Sequence, residues 1–311
     1  MTDEVQTVLA ELDDEGQRLD NFLIRQLKGV PKSRIYRLLR TGEVRVNKGR
    51  KRPEYRLKIG DLVRIPPVRQ ASQEEVDTRL AAQVAKVSVL YEDEELLLIN
   101  KPSGVAVHSG SGIRMGLIEA LRQNLGPNDF LELAHRLDRE TSGCLLFAKR
   151  RSVLRTLQQL GQQGKTQKQY CALVRGHWPW GRRTVTLALE KSTLASGEQV
   201  VSHSNQGKIA ISHFEPIEFL RQASLMRVDI ETGRTHQIRV HAKALGHPIA
   251  ADPKYGDPHF NELCREAGLK RLFLHAARLA FPHPKTQQLI DVLAPLPTDL
   301  QAVLDRWPRQ K

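Results

Sequence analysis

The sequence predicts an α+β protein in two parts, a small basic N-terminal unit and a larger one built on a mixed, mainly antiparallel sheet with flanking helices. Three observations lead there. Between Arg18 and Arg69 lie 16 Lys/Arg and only 4 Asp/Glu, so nearly the whole net charge of +13 falls in one short segment. Several strand candidates further on alternate polar with apolar, as an antiparallel sheet with one covered face requires. Strands and helices do not alternate regularly, which argues against a doubly wound parallel sheet.

The elements follow in order. Residues 1–15 are acidic and read as a tail. Leu19, Phe22, Leu23 and Leu27 fall on one helical face, and Ile35, Leu38 and Leu39 mark a second. Gly29 and Pro31 punctuate between them, and Gly42 suits a helix C-terminus. Val44 and Val46 alternate around Arg45, Asn47-Lys48-Gly49 reads as a turn, and Leu62–Ile65 follows Gly60-Asp61 as a strand. This makes a unit over 16–69. The polar run 70–85 reads as a linker, and 86–311 as the larger unit. Its strand candidates are Val87–Tyr91, Leu96–Ile99, Cys144–Ala148, Tyr170–Val174, Val185–Leu189, Ile209–Phe214 and Met226–Ile230. Helical patterns occur near Leu117–Leu125, Val153–Leu160 and Thr235–Leu245.

Composition removes several classes of function. No apolar run approaches the roughly 20 residues of a spanning helix, and the acidic first residues do not resemble a secretory signal. Cys144, Cys171 and Cys264 are far apart and without CxxC spacing, so reduced thiols and a cytoplasmic setting are expected. Dinucleotide, P-loop, HExxH and GxSxG motifs are missing, so no small-molecule cofactor and no metal are expected. His236 and His241, five residues apart on one helix, are poorly spaced to share a metal. The concentrated positive charge points first to a polyanionic partner, ahead of a basic surface that only aids solubility or an anionic membrane surface, which would need an accompanying exposed apolar face.

Three clusters mix charge, hydrogen-bond donors and small residues beside core segments: HRLDRETSG at 135–143, QKQY at 167–170 and TGRTHQIRVH at 232–241. Taken singly, each has a plain structural reading. Asp138 could cap a turn or pair with Arg136 or Arg139, Arg239 could be a surface charge, and Tyr170 could be a core aromatic. Together and in this order they resemble the catalytic signature of the RluA-type family of pseudouridine synthases. The run LLINKPSGVAVH at 97–108 resembles that family's opening strand and turn, and SRIYRLLRTGEVRVN at 33–47 resembles an S4 RNA-binding domain. The domain order and several motifs look most like the bacterial members that act on large-subunit (23S) ribosomal RNA.

The resemblance implies an isomerase that breaks the glycosidic bond of a flipped uridine, turns the uracil and rejoins it through carbon. It implies Asp138 as the catalytic carboxylate, Tyr170 as the active-site tyrosine and Arg239 as the guanidinium beside the carboxylate. Arg136 would help to occupy the space the flipped base leaves. Whether Asp138 attacks the sugar or removes a ribose proton stays open. Arg34, Arg37, Arg40, Arg45, Lys48, Arg50, Lys51 and Arg52 are the expected RNA-binding cations of the S4-like unit. With only Phe22, Tyr36 and Tyr55 as aromatics, that unit does not read as a single-strand stacking platform. A monomer is expected. The competing readings are a non-catalytic RNA-binding assembly factor, a synthase for tRNA or small-subunit RNA, and a metal-dependent RNA hydrolase. Arginines flanking Asp138 and Glu140 would repel the hydrolase's cation.

Overall fold

Helix formation in the first unit follows from its two apolar stripes. In the computed structural model, which describes residues 5–27, 30, 32–68, 84, 87–109, 115–123, 125–126, 129–193 and 199–309, α1 spans Leu19–Gln26 and α2 spans Lys32–Thr41. Phe22 and Leu23 of α1 pack with Ile35 and Leu38 of α2 in one buried cluster. Gly42 ends α2 with a φ of 74°, a left-handed stop that a glycine adopts without a steric penalty. A three-stranded antiparallel sheet covers the helices, in the order β1 (Gln6–Leu9), β3 (Leu62–Ile65), β2 (Arg45–Val46). Asn47 and Lys48 both take positive φ, 50° and 67°, which is the backbone of a two-residue hairpin turn.

The reading of 1–15 as a tail needs correction in its described part. Gln6–Leu9 is a strand on β3, and residues 12–14 form a 3-10 turn. The acidic composition hid a short pattern whose inward residue, Ala10, joins the core. Gly29, Pro31 and residues 69–83 lie outside the described residues, as do 85 and 86. The chain divides into compact units over Met1–Val76 and Asp77–Lys311.

In the second unit the strands are β4 (Ser88–Glu92), β5 (Leu96–Lys101), β6 (Glu132–Leu133), β7 (Ser142–Ala148), β8 (Gln167–Arg175), β9 (Arg183–Thr193), β10 (Gln199–His203), β11 (Lys208–Leu220), β12 (Ala223–Ile230), β13 (Leu274–Pro282) and β14 (Leu289–Leu293). They form one sheet in the order β10-β9-β11-β12-β8-β13-β7-β5-β4, with β6 on β7 and β14 on β13. Every pairing is antiparallel except β13 on β7, so the sheet is mixed as expected. All seven residues of β7 are buried, the mark of a central strand.

The helices are α3 (Leu117–Arg122), α4 (Arg151–Gln162), α5 (Gln237–Ala244), α6 (Pro258–Glu266) and α7 (Thr298–Arg306). In α4, Val153, Leu157 and Leu160 pack on Leu96, Leu98 and Leu146. Phe260 of α6 and Leu300 of α7 share a cluster with Leu173 and Leu225. In α5, Val240 packs with Leu189, Val201 and Ala210. The strands β6, β10, β13 and β14 and the helices α6 and α7 were not anticipated from the sequence.

One register decides where the chemistry sits. Ala276 of β13 pairs with Gly143 on one side and with Tyr170 of β8 on the other. The end of the 135–143 loop therefore lies two strands from Tyr170. Gly143 is required there: its φ is 112°, and a Cβ would overlap the Ala276 carbonyl.

Candidate active site

Asp138 lies in the loop between β6 and β7, and that loop is tied down by its backbone. Gly104 N–H donates to the Arg139 carbonyl (2.9 Å), and Arg139 Nε donates back to the Gly104 carbonyl (3.1 Å). Ser103 Oγ donates to the Glu140 carbonyl at 2.6 Å. Lys101 is fully buried beneath, and its Nζ donates to the carbonyls of Pro102, Val105 and Arg139 at 2.9, 2.8 and 3.0 Å. Burial pushes the Lys101 ammonium down to about 7. Three acceptors around one nitrogen nevertheless need three protons, so the charged form is the one this geometry fits. His135, at the start of the loop, accepts from Leu146 N–H at 3.2 Å. Burial pushes its imidazole down to about 3, which agrees with that acceptor role.

Arg239 arrives from α5, whose first residues are themselves pinned. Gln237 Nε2 donates to the Ile211 carbonyl and to Ser212 Oγ, both at 2.9 Å, while its Oε1 accepts from Thr232 Oγ1 and Arg234 N–H. Arg239 is buried and makes a two-pronged ion pair with Asp252, Nε to Oδ2 at 2.7 Å and Nη2 to Oδ1 at 2.8 Å. Its remaining nitrogen, Nη1, stands 3.4 Å from Asp138 Oδ2. Asp252 also accepts from the N–H groups of Lys254 and Tyr255. Although burial opposes its charge, these donors hold its carboxyl below the ordinary carboxylate range.

His236 caps α5 in a left-handed conformation, φ 53°, and its Nε2 lies 3.9 Å from the same Asp138 Oδ2. Both neighbours thus approach Oδ2, and among the described residues Oδ1 carries no hydrogen bond. Tyr170 is buried, and burial, reinforced by the nearby Asp138 carboxylate, holds its phenol well above its ordinary value. It is a neutral hydroxyl at neutral pH.

These groups line one cleft of about 480 Å³. Arg136, Asp138, Tyr170 and Arg239, singled out in the sequence, all border it. Its charged lining also includes Arg139, Glu140, Lys191, Arg234 and Lys254, so cations outnumber the two carboxylates three to one. A cleft of that sign attracts a polyanion. Arg34, Arg37, Arg40, Arg45, Lys48, Arg50, Lys51 and Arg52 belong to the other unit. Among the described residues none of these eight makes an ion pair, although Lys51 Nζ lies 4.8 Å from the centre of the Tyr55 ring. Reasoning on the sequence noted Lys101 and His236 only as members of their motifs and gave no role to them or to Asp252 and Tyr255. The run Asp252-Pro-Lys-Tyr-Gly reads only as a turn; its bond to a helix 13 residues back leaves no periodic trace.

A basic two-unit chain whose cleft sets Asp138 against a buried guanidinium, among a threefold excess of cations, has the features of a nucleic-acid-modifying enzyme. Residues 95–244 match the RNA pseudouridylate synthase family, and residues 17–63 match the S4 domain. The chain is 51% identical over 303 residues to the ribosomal large subunit pseudouridine synthase C of Pasteurella multocida, covering 96% of this chain and 93% of that one. It is likewise 51% identical over 310 residues to the enzyme of the same name from Escherichia coli K12, covering 98% and 97%. Among solved structures, human RNA pseudouridylate synthase domain containing 1 superposes with a TM-score of 0.59 at 27% identity, over 73% of this chain and 90% of that one. The chain therefore belongs to the bacterial RluA-type family of RNA pseudouridine synthases, isomerases that here carry an N-terminal S4 domain.

Proposed function

We propose that this chain converts uridines of large-subunit ribosomal RNA to pseudouridine, with Asp138 as the catalytic carboxylate. The observation that carries the reading is the placement of Asp138 Oδ2 3.4 Å from a guanidinium whose other edge is locked by Asp252. The substrate follows from the two C-type relatives, which match this chain over nearly its whole length.

The reaction needs no oxidant and no external nucleophile. The C1′–N1 bond breaks, the uracil turns, C1′ bonds to C5, the C5 hydrogen is lost and N1 gains a proton. Attack on C1′ and removal of a ribose proton both require an ionised carboxylate, and Arg239 supplies the counter-charge. Asp138 Oδ1, which carries no hydrogen bond among the described residues, is the oxygen left for the sugar. The target must leave its stack to react, which costs a few kcal/mol. Tyr170 offers a ring for the extruded uracil and a protonated hydroxyl. Arg136, which is exposed and lines the cleft, would fill the gap the base leaves in the RNA. The S4 unit's cations grip phosphates and set affinity and placement more than base identity. A cytoplasmic location belongs to the same reading and is in keeping with three unpaired cysteines.

Asp138→Asn tests the reading. With transcribed ribosomal RNA and no added cofactor, pseudouridine formation falls by at least roughly 10³-fold, because the carboxylate has no stand-in. RNA affinity stays within about twofold, since a neutral amide adds no repulsion to the phosphates. Product formed at an undiminished rate would overturn it.

A further inference from the structure

Asp138 has a second neighbour that the reaction scheme leaves unused, and the proton on that neighbour can be located. Tyr255 Oη accepts from Val201 N–H at 2.9 Å. A phenol has one proton, and its other partner is His236 Nδ1 at 2.8 Å. The backbone amide can only donate, so the phenolic proton is free to go to the imidazole. Burial is the main influence on His236 and favours its neutral ring, which carries one N–H. With Nδ1 accepting from Tyr255, that N–H is on Nε2, the nitrogen 3.9 Å from Asp138 Oδ2.

The surroundings are built to hold this arrangement. His236 keeps a left-handed backbone, unusual for a residue with a side chain, and so presents its ring from the first turn of α5. Tyr255 is buried, its ring lies edge-on to His236 with centroids 5.5 Å apart, and its face lies 5.0 Å from the Arg239 guanidinium carbon. The short segment 252–255 thus supports both groups that approach Oδ2: Arg239 through Asp252, and His236 through Tyr255.

We propose that Tyr255 is a positioning residue whose hydroxyl selects the His236 tautomer with its N–H turned toward Asp138. At 3.9 Å an Nε2–H is a dipole facing Oδ2 rather than a direct hydrogen bond to it, and it favours the carboxylate's charge on that side, leaving Oδ1 for the ribose. The opposite tautomer would set an imidazole lone pair against a carboxylate oxygen, a repulsive pairing. The proposal rests on Asp138 being the catalytic carboxylate.

The test reads the tautomer directly. Imidazole ¹⁵N shifts of His236, assigned by its loss in His236→Gln, are measured in the full chain at neutral pH. They should report Nε2–H in the native protein. Tyr255→Phe keeps the ring under Arg239 and deletes only the hydroxyl. It should shift the His236 signals toward a mixture with Nδ1–H, and lower kcat by roughly tenfold with KM for RNA nearly unchanged, about the loss of one good hydrogen bond. A native spectrum showing Nδ1–H or the imidazolium would overturn the proposal, whatever the Tyr255 variant does. Tyr255→Phe retaining both native tautomer and native kcat would also overturn it. Asp138→Asn assayed in parallel separates the two ideas: activity there defeats the catalytic reading, whereas the ¹⁵N result stands on the apo protein.

Discussion

Asp252→Asn should cost far more than the loss of one surface charge, and its size can be worked from the ion pair. The native carboxylate takes two charged hydrogen bonds from Arg239, at 2.7 and 2.8 Å, and its side chain is 1% exposed. Asparagine keeps the shape but has only one acceptor atom, so one guanidinium edge faces an amide NH₂. Arg239, whose side chain is 6% exposed, then keeps its charge with one distant partner, Asp138. Leaving a buried charge half-paired costs about 3–5 kcal/mol. For a unit of this size each kcal/mol moves Tm by about 2–4 °C, so a fall on the order of 6–20 °C is expected. Calorimetric melting of the full chain measures it. The sign with pH is equally specific. Asp252 has a folded-state value below its ordinary 3.8, so its contribution is complete above that value and is lost as pH falls through the depressed one. The native melting curve should carry this acid limb and the Asp252→Asn curve should lack it. A Tm within about 2 °C of native at neutral pH would refute the reasoning, because it would mean that Arg239 does not depend on this partner.

Further outcomes follow from the same geometry. Gly143→Ala forces a Cβ into the Ala276 carbonyl at a φ of 112°, and should lower stability by about 2–4 kcal/mol in urea titration. Lys101→Met leaves three carbonyls without their donor around a buried apolar side chain, and should cost about 2–4 kcal/mol in the same assay. It should also reduce kcat more than it changes RNA affinity, because the loop bearing Asp138 is what loosens. Replacing Arg37 and Arg40 by alanine should weaken RNA binding while leaving kcat intact. It should also reduce the slope of log affinity against log salt by about one for each phosphate that is no longer neutralised.

Much of this protein could be read along the chain. Leu19, Phe22 and Leu23, then Ile35, Leu38 and Leu39, mark their helices because a helix must bury one stripe, and all six are buried. The strand over Leu62–Ile65 was anticipated at its observed bounds by alternation alone. The clusters around Asp138, Tyr170 and Arg239 carried a functional reading only jointly, because their order resembles the RluA-type signature; singly each had a plain structural reading. Other elements left no such mark. In β13 the residues Leu274–Ala277 carry no clean alternation, because the strand is covered by neighbours on both edges and packed on both faces. The acidic run before Leu12 masked a strand whose partner lies more than 50 residues away.

The sequence by itself determined the two units, the sign and location of the charge, most of the strands and helices, and the side chains that could do chemistry. Those follow from local rules: periodicity sets which face is buried, and side-chain chemistry travels with each residue. Only the tertiary structure decided that Ala276 lies between Gly143 and Tyr170, that Arg239 is clamped by Asp252, that Lys101 props up the Asp138 loop and that Tyr255 faces His236. Asp138 and Arg239 are 101 residues apart, and their 3.4 Å separation exists only because sheet order and backbone hydrogen bonds bring two loops together. Distances of that kind are set by packing across the fold, which no local pattern records.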